Sequence, residues 1–266
     1  MPTERQQALI AALTRLLDDE PQVQAAWLAG SLGRGEGDEF SDVDTLALTA
    51  DGRAGEVSAA LADNLATVAT PVLVNRLYGG RVLSVVTEDW DRFDITLVEA
   101  ADLARYDARD LKPLFRKGGP VPPTRTDGPY RPDPGQITRL AQEFLRVLGL
   151  APVGIGRGEY EVCLSGVDQL RRMTIDLMLE ENAVPPARRG GALRRNPLLT
   201  EDQRRALAAI PPQSADRPSL LAVNAAFAAV FLPRARRLAA EVGAAWPEAL
   251  EAATRRRLRG ALGVEI

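Results

Sequence analysis

The chain has 266 residues, of which 45% are hydrophobic and 26% charged, and its formal net charge is −3. At about 150 residues per domain, this length predicts one large domain or two small ones, and the small net charge argues against a general phosphate-binding surface. The sequence has no histidine and one cysteine, Cys163, which excludes a Ser-His-Asp triad, a Cys-His dyad, a histidine metal site and an internal disulfide.

Hydrophobic spacing in the first hundred residues predicts helices that alternate with strands. The predicted helices cover residues 6–17 and 54–68. The predicted strands cover residues 23–29, 42–48, 72–77, 82–87 and 93–98. Residues 30–39 are rich in glycine and charge and are expected to form either a plain loop or a loop that opens a helix. Gly79-Gly80 is typical of a hairpin turn.

The second half of the chain has a different composition. Seven prolines between Pro113 and Pro134 predict a linker or an irregular crossover. The predicted helices after it cover residues 137–148, 159–181, 201–209, 220–242 and 247–262, with Gly149 among the residues that end them. We therefore expect an α+β protein: a mixed sheet with flanking helices over residues 1–118, a Pro-rich linker over 119–134 and a helical bundle over 135–266.

Two features of the sequence predict the cellular location of the protein. The N-terminus is polar and leads into an amphipathic helix, which is unlike a signal peptide. No uninterrupted apolar stretch reaches the roughly 18 residues that a membrane helix needs. The sequence therefore predicts a cytoplasmic protein that does not act on membranes.

Two carboxylates, Asp42 and Asp44, are predicted to open one strand and to project from one face of it. Two carboxylates at this spacing repel each other unless a cation neutralises them, and a hard divalent ion such as Mg²⁺ is the natural partner. Asp94 is a polar residue on a third strand. If that strand lies beside the first, three acids converge, and a pair of ions could then hold an in-line phosphoryl displacement.

Upstream of these acids, Gly30 and Ser31 follow a buried strand. Glycine lets a phosphate approach the backbone closely, and the amides of a helix start can hold phosphate oxygens together with the Ser31 hydroxyl. Arg34, one helical turn further on, could donate to the same phosphates. The pattern indicates a triphosphate on one side and acids with a metal ion on the other.

This arrangement resembles the nucleotidyltransferase superfamily that includes DNA polymerase beta. Its signature is Gly-Ser, a spacer, Asp-x-Asp on a strand and a third acid on a later strand. The Gly-Ser-x-x-Arg-Gly form, with Ser-Asp-x-Asp after it, is most similar to the aminoglycoside and lincosamide nucleotidyltransferases. The match in motifs covers about the first hundred residues, whereas the helical half matches only in kind.

The resemblance implies that Asp42 and Asp44 hold magnesium, that Gly30, Ser31 and Arg34 bind ATP, and that Asp94 is a further ligand or the catalytic base. It implies transfer of AMP from ATP to a hydroxyl of a small molecule such as an aminoglycoside or lincosamide antibiotic, as in antibiotic resistance. The alternatives are a protein or nucleic-acid acceptor, which no aromatic and basic stripe favours, and a non-catalytic or regulatory module of toxin–antitoxin type.

Each candidate also has an ordinary structural explanation. Gly30-Ser31 could be a turn with a helix N-cap, Arg34 could be solvated, and Asp94 could cap a turn. Glu159 is a candidate for binding the acceptor, or simply an acid at a helix N-terminus. In several members of the family that the chain resembles, an acid or a lysine of the helical domain also contributes. This helical half has no lysine, since Lys112 and Lys117 are the only lysines of the chain; an arginine at 171 or 172 could replace a lysine there or belong to a charged helix face.

Overall fold

The computed structural model describes residues 2–126, 128–190 and 194–266. The chain divides into two compact units, Met1–Thr126 and Asp127–Ile266. The first contains a mixed sheet with flanking helices, and the second is a bundle of helices. The predicted α+β class is therefore confirmed.

The first unit is built around a sheet that has six strands within the described residues. Its helices are α1 (Glu4–Asp19), α2 (Gly30–Gly33) and α3 (Ala54–Asn64). Its strands are β1 (Val23–Leu28), β2 (Val43–Thr49), β3 (Pro71–Leu77), β4 (Val82–Thr87), β5 (Arg92–Val98) and β6 (Lys112–Arg116). The strand order is β3-β4-β5-β2-β1-β6. Neighbouring strands are antiparallel, except that β2 and β5 run parallel.

The two faces of the sheet are covered differently. On one face, alternate residues of β2 and β5 join a buried cluster with side chains of α1 and α3. The members from these four elements include Leu13, Leu17, Val43, Ala47, Leu61, Phe93 and Ile95. On the other face, a smaller cluster covers one end of the central strands; it includes Trp27, Leu46, Leu48, Val98, Leu103 and Leu111. Residues of β2 and β5 alternate between the two faces, as predicted for 42–48 and 93–98. The smaller cluster does not cover the end of the second face that carries Asp44 and Asp94.

Strand β6 was not predicted, because Pro113 placed it in the region expected to be irregular. It pairs with β1 at the edge of the sheet, with Pro113 opposite Trp27. Proline lacks the N–H that a central strand needs, but an edge strand tolerates it. The pairing shifts register between Ala26 and Trp27, beside the proline.

The second unit contains five longer helices within the described residues. They are α4 (Pro134–Arg157), α5 (Tyr160–Glu181), α6 (Glu201–Ala208), α7 (Arg217–Val242) and α8 (Glu248–Leu262). The prediction that Gly149 ends a helix was wrong, since α4 continues through it and through Pro152. The helix stays intact because its apolar face, including Phe144 and Ile155, is buried in the bundle core, which outweighs the low helix propensity of Gly149.

Helix α7 is long and apolar enough, by length and composition alone, to cross a membrane. It lies in the core of the bundle, where Val223, Phe227 and Phe231 are fully buried. The Phe231 ring stacks on Phe144 of α4 at a centroid distance of 3.7 Å. Packing against neighbouring helices therefore accounts for the apolar composition of α7.

One buried carboxylate in this unit predicts a clear stability effect. Glu251 is 3% exposed and accepts hydrogen bonds from Trp246 (2.6 Å), Arg236 (2.5 Å) and Arg255 (2.7 Å). Burial alone would raise the pKa of Glu251, but these three donors outweigh burial and lower it. A lowered pKa means that ionised Glu251 stabilises the fold above the pKa of the unfolded chain, and that this stability is lost as the pH falls.

We therefore expect Glu251→Gln to lower the free energy of unfolding at pH 7 by about 2 kcal/mol, because a neutral amide replaces the buried anion to which Arg236 and Arg255 donate. The difference from the wild type should shrink in urea titrations at progressively lower pH. Glu248→Gln is the matched control, since Glu248 contacts the same Arg236 but its side chain is 68% exposed; we expect a change below about 0.5 kcal/mol. Equal losses in the two variants would contradict the role assigned to burial.

Candidate active site

Two of the predicted acids lie next to each other because of strand register. Strands β2 and β5 are parallel neighbours, and Asp44 is the direct partner of Asp94. Partners in register on adjacent strands project from the same face, with backbones about 4.8 Å apart. Asp42 lies directly before β2, two residues from Asp44 and on the same side of the chain. The three carboxylates are thus gathered at the open end of the second sheet face.

Gly30 packs directly against one of these acids. It opens α2 with φ +59°, and an ideal Cβ at this position would lie 1.9 Å from Oδ2 of Asp44. The amide of Ala29, just before it, donates to the Asp44 carbonyl at 2.8 Å. Only glycine accommodates both the backbone conformation and the contact. The helix start is therefore fixed against the strand that carries the acids.

The electrostatics of Asp44 are unusual for a carboxylate. Burial, followed by the negative charges of Asp42 and Asp94, raises its pKa from 3.8 to about 6, and Arg34 and Arg92 offset only part of this. Within the described part of the chain, no hydrogen bond to the Asp44 carboxylate is found. A half-buried acid beside two other acids is costly for the fold, and a cation would remove that cost.

The polar groups around the helix start are already linked to one another. The Ser31 hydroxyl donates a hydrogen bond to the hydroxyl oxygen of Ser41 at 3.0 Å, and Nε of Arg34 lies 2.9 Å from a carboxylate oxygen of Glu36. The Arg34 side chain is only 15% exposed, which rules out the alternative that Arg34 is simply a solvated surface residue. As at any helix start, the first amides of α2 have no acceptor within the helix. Together these groups form a set of donors beside the acids.

Arg92 is a site residue that the sequence reasoning missed. Its guanidinium lies 3.7 Å from Asp42, and it contributes to the charge around Asp44. It precedes Asp94 by two residues, so it projects from the same face of β5. The two-residue spacing between Arg92 and Asp94 is visible in the sequence. It places Arg92 at the site only once β5 is known to lie beside β2.

The three acids offer the oxygen ligands that magnesium prefers, but they are not already arranged around a position for the ion. Within residues 2–126, 128–190 and 194–266, no group of three or more His, Cys, Asp or Glu side chains is arranged to hold a metal ion. Carboxylate oxygens are nevertheless the ligands that Mg²⁺ prefers. Burial and the repulsion from Asp42 and Asp94 raise the pKa of Asp44, and a divalent cation would offset that repulsion. The donor set therefore fits the ion, with Asp42 and Asp44 as the residues that would hold it and Asp94 beside them as a further ligand or a base.

The structure brings together Gly30, Arg34 and the three acids. Ser31 follows Gly30 in α2, and its hydroxyl bonds to Ser41, the residue before Asp42. Glu159, by contrast, is an exposed residue in the second unit. It occupies the N-cap position of α5 without a capping hydrogen bond from its side chain, so its role in binding an acceptor stays a prediction. In the same helix, Arg172 forms an ion pair with Asp168, as expected for a charged helix face.

The architecture is α+β, a mixed sheet followed by a helical bundle. No family model matches the chain, and no curated protein matches it in sequence. Among solved structures, the chain is similar to an aminoglycoside 6-adenyltransferase from Bacillus subtilis, with a TM-score of 0.42 and 17% identity. The alignment covers 97% of this chain and 98% of that one.

Proposed function

We propose that the protein is a magnesium-dependent nucleotidyltransferase that moves AMP from ATP to a hydroxyl group of a small molecule. An aminoglycoside or a lincosamide is the proposed acceptor class, and the cytoplasm is the proposed place of action. The observation that carries the proposal is the register of β2 and β5, which sets Asp44 beside Asp94 and next to the glycine that opens α2.

In the proposed reaction, each residue has a defined role. The amides at the start of α2, with Ser31 and Arg34, bind the triphosphate. Asp42 and Asp44 would hold magnesium, whose positive charge offsets the charges of the triphosphate and of the acids. The acceptor oxygen forms a bond to the α-phosphorus, the bond to the β-phosphate oxygen breaks, and pyrophosphate leaves. Asp94 accepts the proton of the acceptor hydroxyl, and catalysis comes from positioning and charge neutralisation.

A second candidate function is nucleotide binding without transfer, in a regulatory module. It is favoured by the lack of a ready three-acid cage in the described residues. The acids would have to rearrange before they could hold an ion for the transfer step. The two candidates differ in one measurable product, because only the enzyme releases pyrophosphate.

The deciding experiment incubates the protein with ATP labelled at the α-phosphate and with kanamycin, streptomycin or lincomycin. We expect the label to move to at least one acceptor with Mg²⁺ present, and we expect EDTA to abolish the transfer, because the acids then repel each other and the triphosphate. Nucleotide binding measured by thermal shift, without transfer to any acceptor, would support the regulatory module. Transfer that persists in excess EDTA would contradict the role of the metal.

A further inference from the structure

A straight row of polar residues crosses four strands on the open face of the sheet. Asp44 of β2 is paired with Asp94 of β5, Asp94 with Ser84 of β4, and Ser84 with Asn75 of β3. Residues paired in register share one face, so all four side chains project from the face that carries the acids. The row starts at the candidate catalytic acids and ends at the edge strand.

Aliphatic residues border this row on both sides. The paired residues in the two adjacent rows are Val82 with Leu77 and Val86 with Leu73. The leucines are 42% and 48% exposed, and Val82 and Val86 are partly exposed. Their neighbours on the opposite face, Leu83 and Val85, are fully buried. The end of the sheet beyond Asp94 is thus an accessible platform with a polar centre and apolar margins.

The polar centre has unused hydrogen-bonding capacity. Within the described residues, neither Ser84 nor Asn75 forms a hydrogen bond through its side chain, and both are at least partly exposed. They are neutral groups that can donate and accept. With strands about 4.8 Å apart, they lie about 5 and 10 Å from Asp94 across the sheet, a distance that one or two saturated rings span.

We propose that this platform binds the acceptor, and that the acceptor presents a sugar or aminocyclitol ring to it. The apolar face of the ring packs on the bordering leucines and valines, and its hydroxyl groups hydrogen-bond to Ser84 and Asn75. The platform continues directly from Asp94, so a ring bound there holds a hydroxyl beside the proposed base. Ser84 and Asn75 are positioning residues. This inference rests on the proposed function and adds to it the site that selects the acceptor.

The charge of the platform supports a cationic or neutral ring over an anionic one. Its catalytic end carries Asp42, Asp44 and Asp94, whose negative charges Arg34 and Arg92 offset only in part. Arg76, the charged residue of β3, is paired with Leu83 and so projects from the opposite face. Amine groups on the ring are therefore attracted towards the acids, whereas a carboxylate or phosphate on the ring is repelled.

The test measures acceptor binding in Ser84→Ala and Asn75→Ala with the probes kanamycin, streptomycin and lincomycin. We expect each variant to raise the KM of the transferred probe about 3–10-fold, as the loss of one hydrogen bond predicts, while kcat and the KM of ATP stay within about two-fold. Val74→Ala is the matched control, since Val74 is the neighbour of Asn75 on the other face of β3; we expect it to leave both KM values unchanged.

Isothermal titration calorimetry of the same probes without ATP separates this inference from the proposed function. A probe that binds the wild type and binds both variants more weakly supports the platform, even if no label is transferred. Binding or KM values that are unchanged in both variants overturn it, and so does the failure of every probe to bind the wild type. If β3 instead contacts a second copy of the chain, light scattering gives a dimer and the variants keep their probe affinity, which also overturns it.

Discussion

Asp44→Asn should abolish nucleotidyl transfer, with a loss on the order of 10³-fold or more, while leaving the fold intact. The substitution keeps the shape of the side chain but removes the charge that would hold magnesium. Label transfer from ATP at saturating Mg²⁺ measures the loss. Asp51→Asn is the control, because Asp51 is an exposed acid of the same unit, and it should keep full activity.

The same variant should be more stable than the wild type at high pH. The pKa of Asp44 is raised from 3.8 to about 6 by burial and by its acidic neighbours, so the folded state binds this proton more tightly than the unfolded state. The free energy of unfolding of the wild type therefore falls as the pH rises from about 4 to about 6. We expect Asp44→Asn to avoid this fall and to gain about 1–2 kcal/mol at pH 8.

Urea unfolding in EDTA at pH 4 and pH 8 measures this stability difference. At pH 4, where Asp44 is protonated in the folded wild type, the two proteins should differ little. A variant that is less stable than the wild type at pH 8 would show that Asp44 makes a favourable contact in the fold. In the label-transfer assay, full activity of Asp44→Asn would refute the role of Asp44 in holding the metal.

Gly30→Ala is the second substitution for which we expect a large effect. The new Cβ would approach Oδ2 of Asp44 to 1.9 Å, and the residue would have to keep φ +59°. Either the Asp44 carboxylate or the start of α2 must then move. We expect a loss of about 2–3 kcal/mol in the free energy of unfolding and a loss of transfer of about 10²-fold.

Gly35→Ala is the control that separates the cost of the positive φ from the cost of the contact with Asp44. Gly35 has φ +74° and open space where its Cβ would lie, so its substitution should cost only about 1 kcal/mol from the backbone conformation. In an Asp44→Ala background, the cost of Gly30→Ala should fall most of the way to this value, because the carboxylate is gone and only the Cβ of residue 44, at 3.1 Å, remains. Equal costs at the two glycines in the wild-type background would show that Gly30 is constrained by its backbone conformation alone.

Local patterns in the sequence predicted most of the elements. The alternation in 42–48 and 93–98 and the glycine pair after residue 77 became β2, β5 and the β3–β4 hairpin. Two predictions failed for opposite reasons. Pro113 hid an edge strand whose partner, β1, is almost ninety residues away in the chain. Gly149 suggested a helix end, but tertiary packing of α4 keeps the helix continuous through it.

The sequence by itself determined which chemistry is available: with no histidine and one cysteine, the candidate groups are acids, hydroxyls and arginines, and Asp42 and Asp44 are close together because they are neighbours on one chain segment. Only the tertiary structure decided that Asp94 is the partner of Asp44, that Gly30 lies against its carboxylate, and that Ser84 and Asn75 extend the row. Strand order and register come from burying one apolar face against α1 and α3. That burial is a property of the whole sheet, which no single segment encodes.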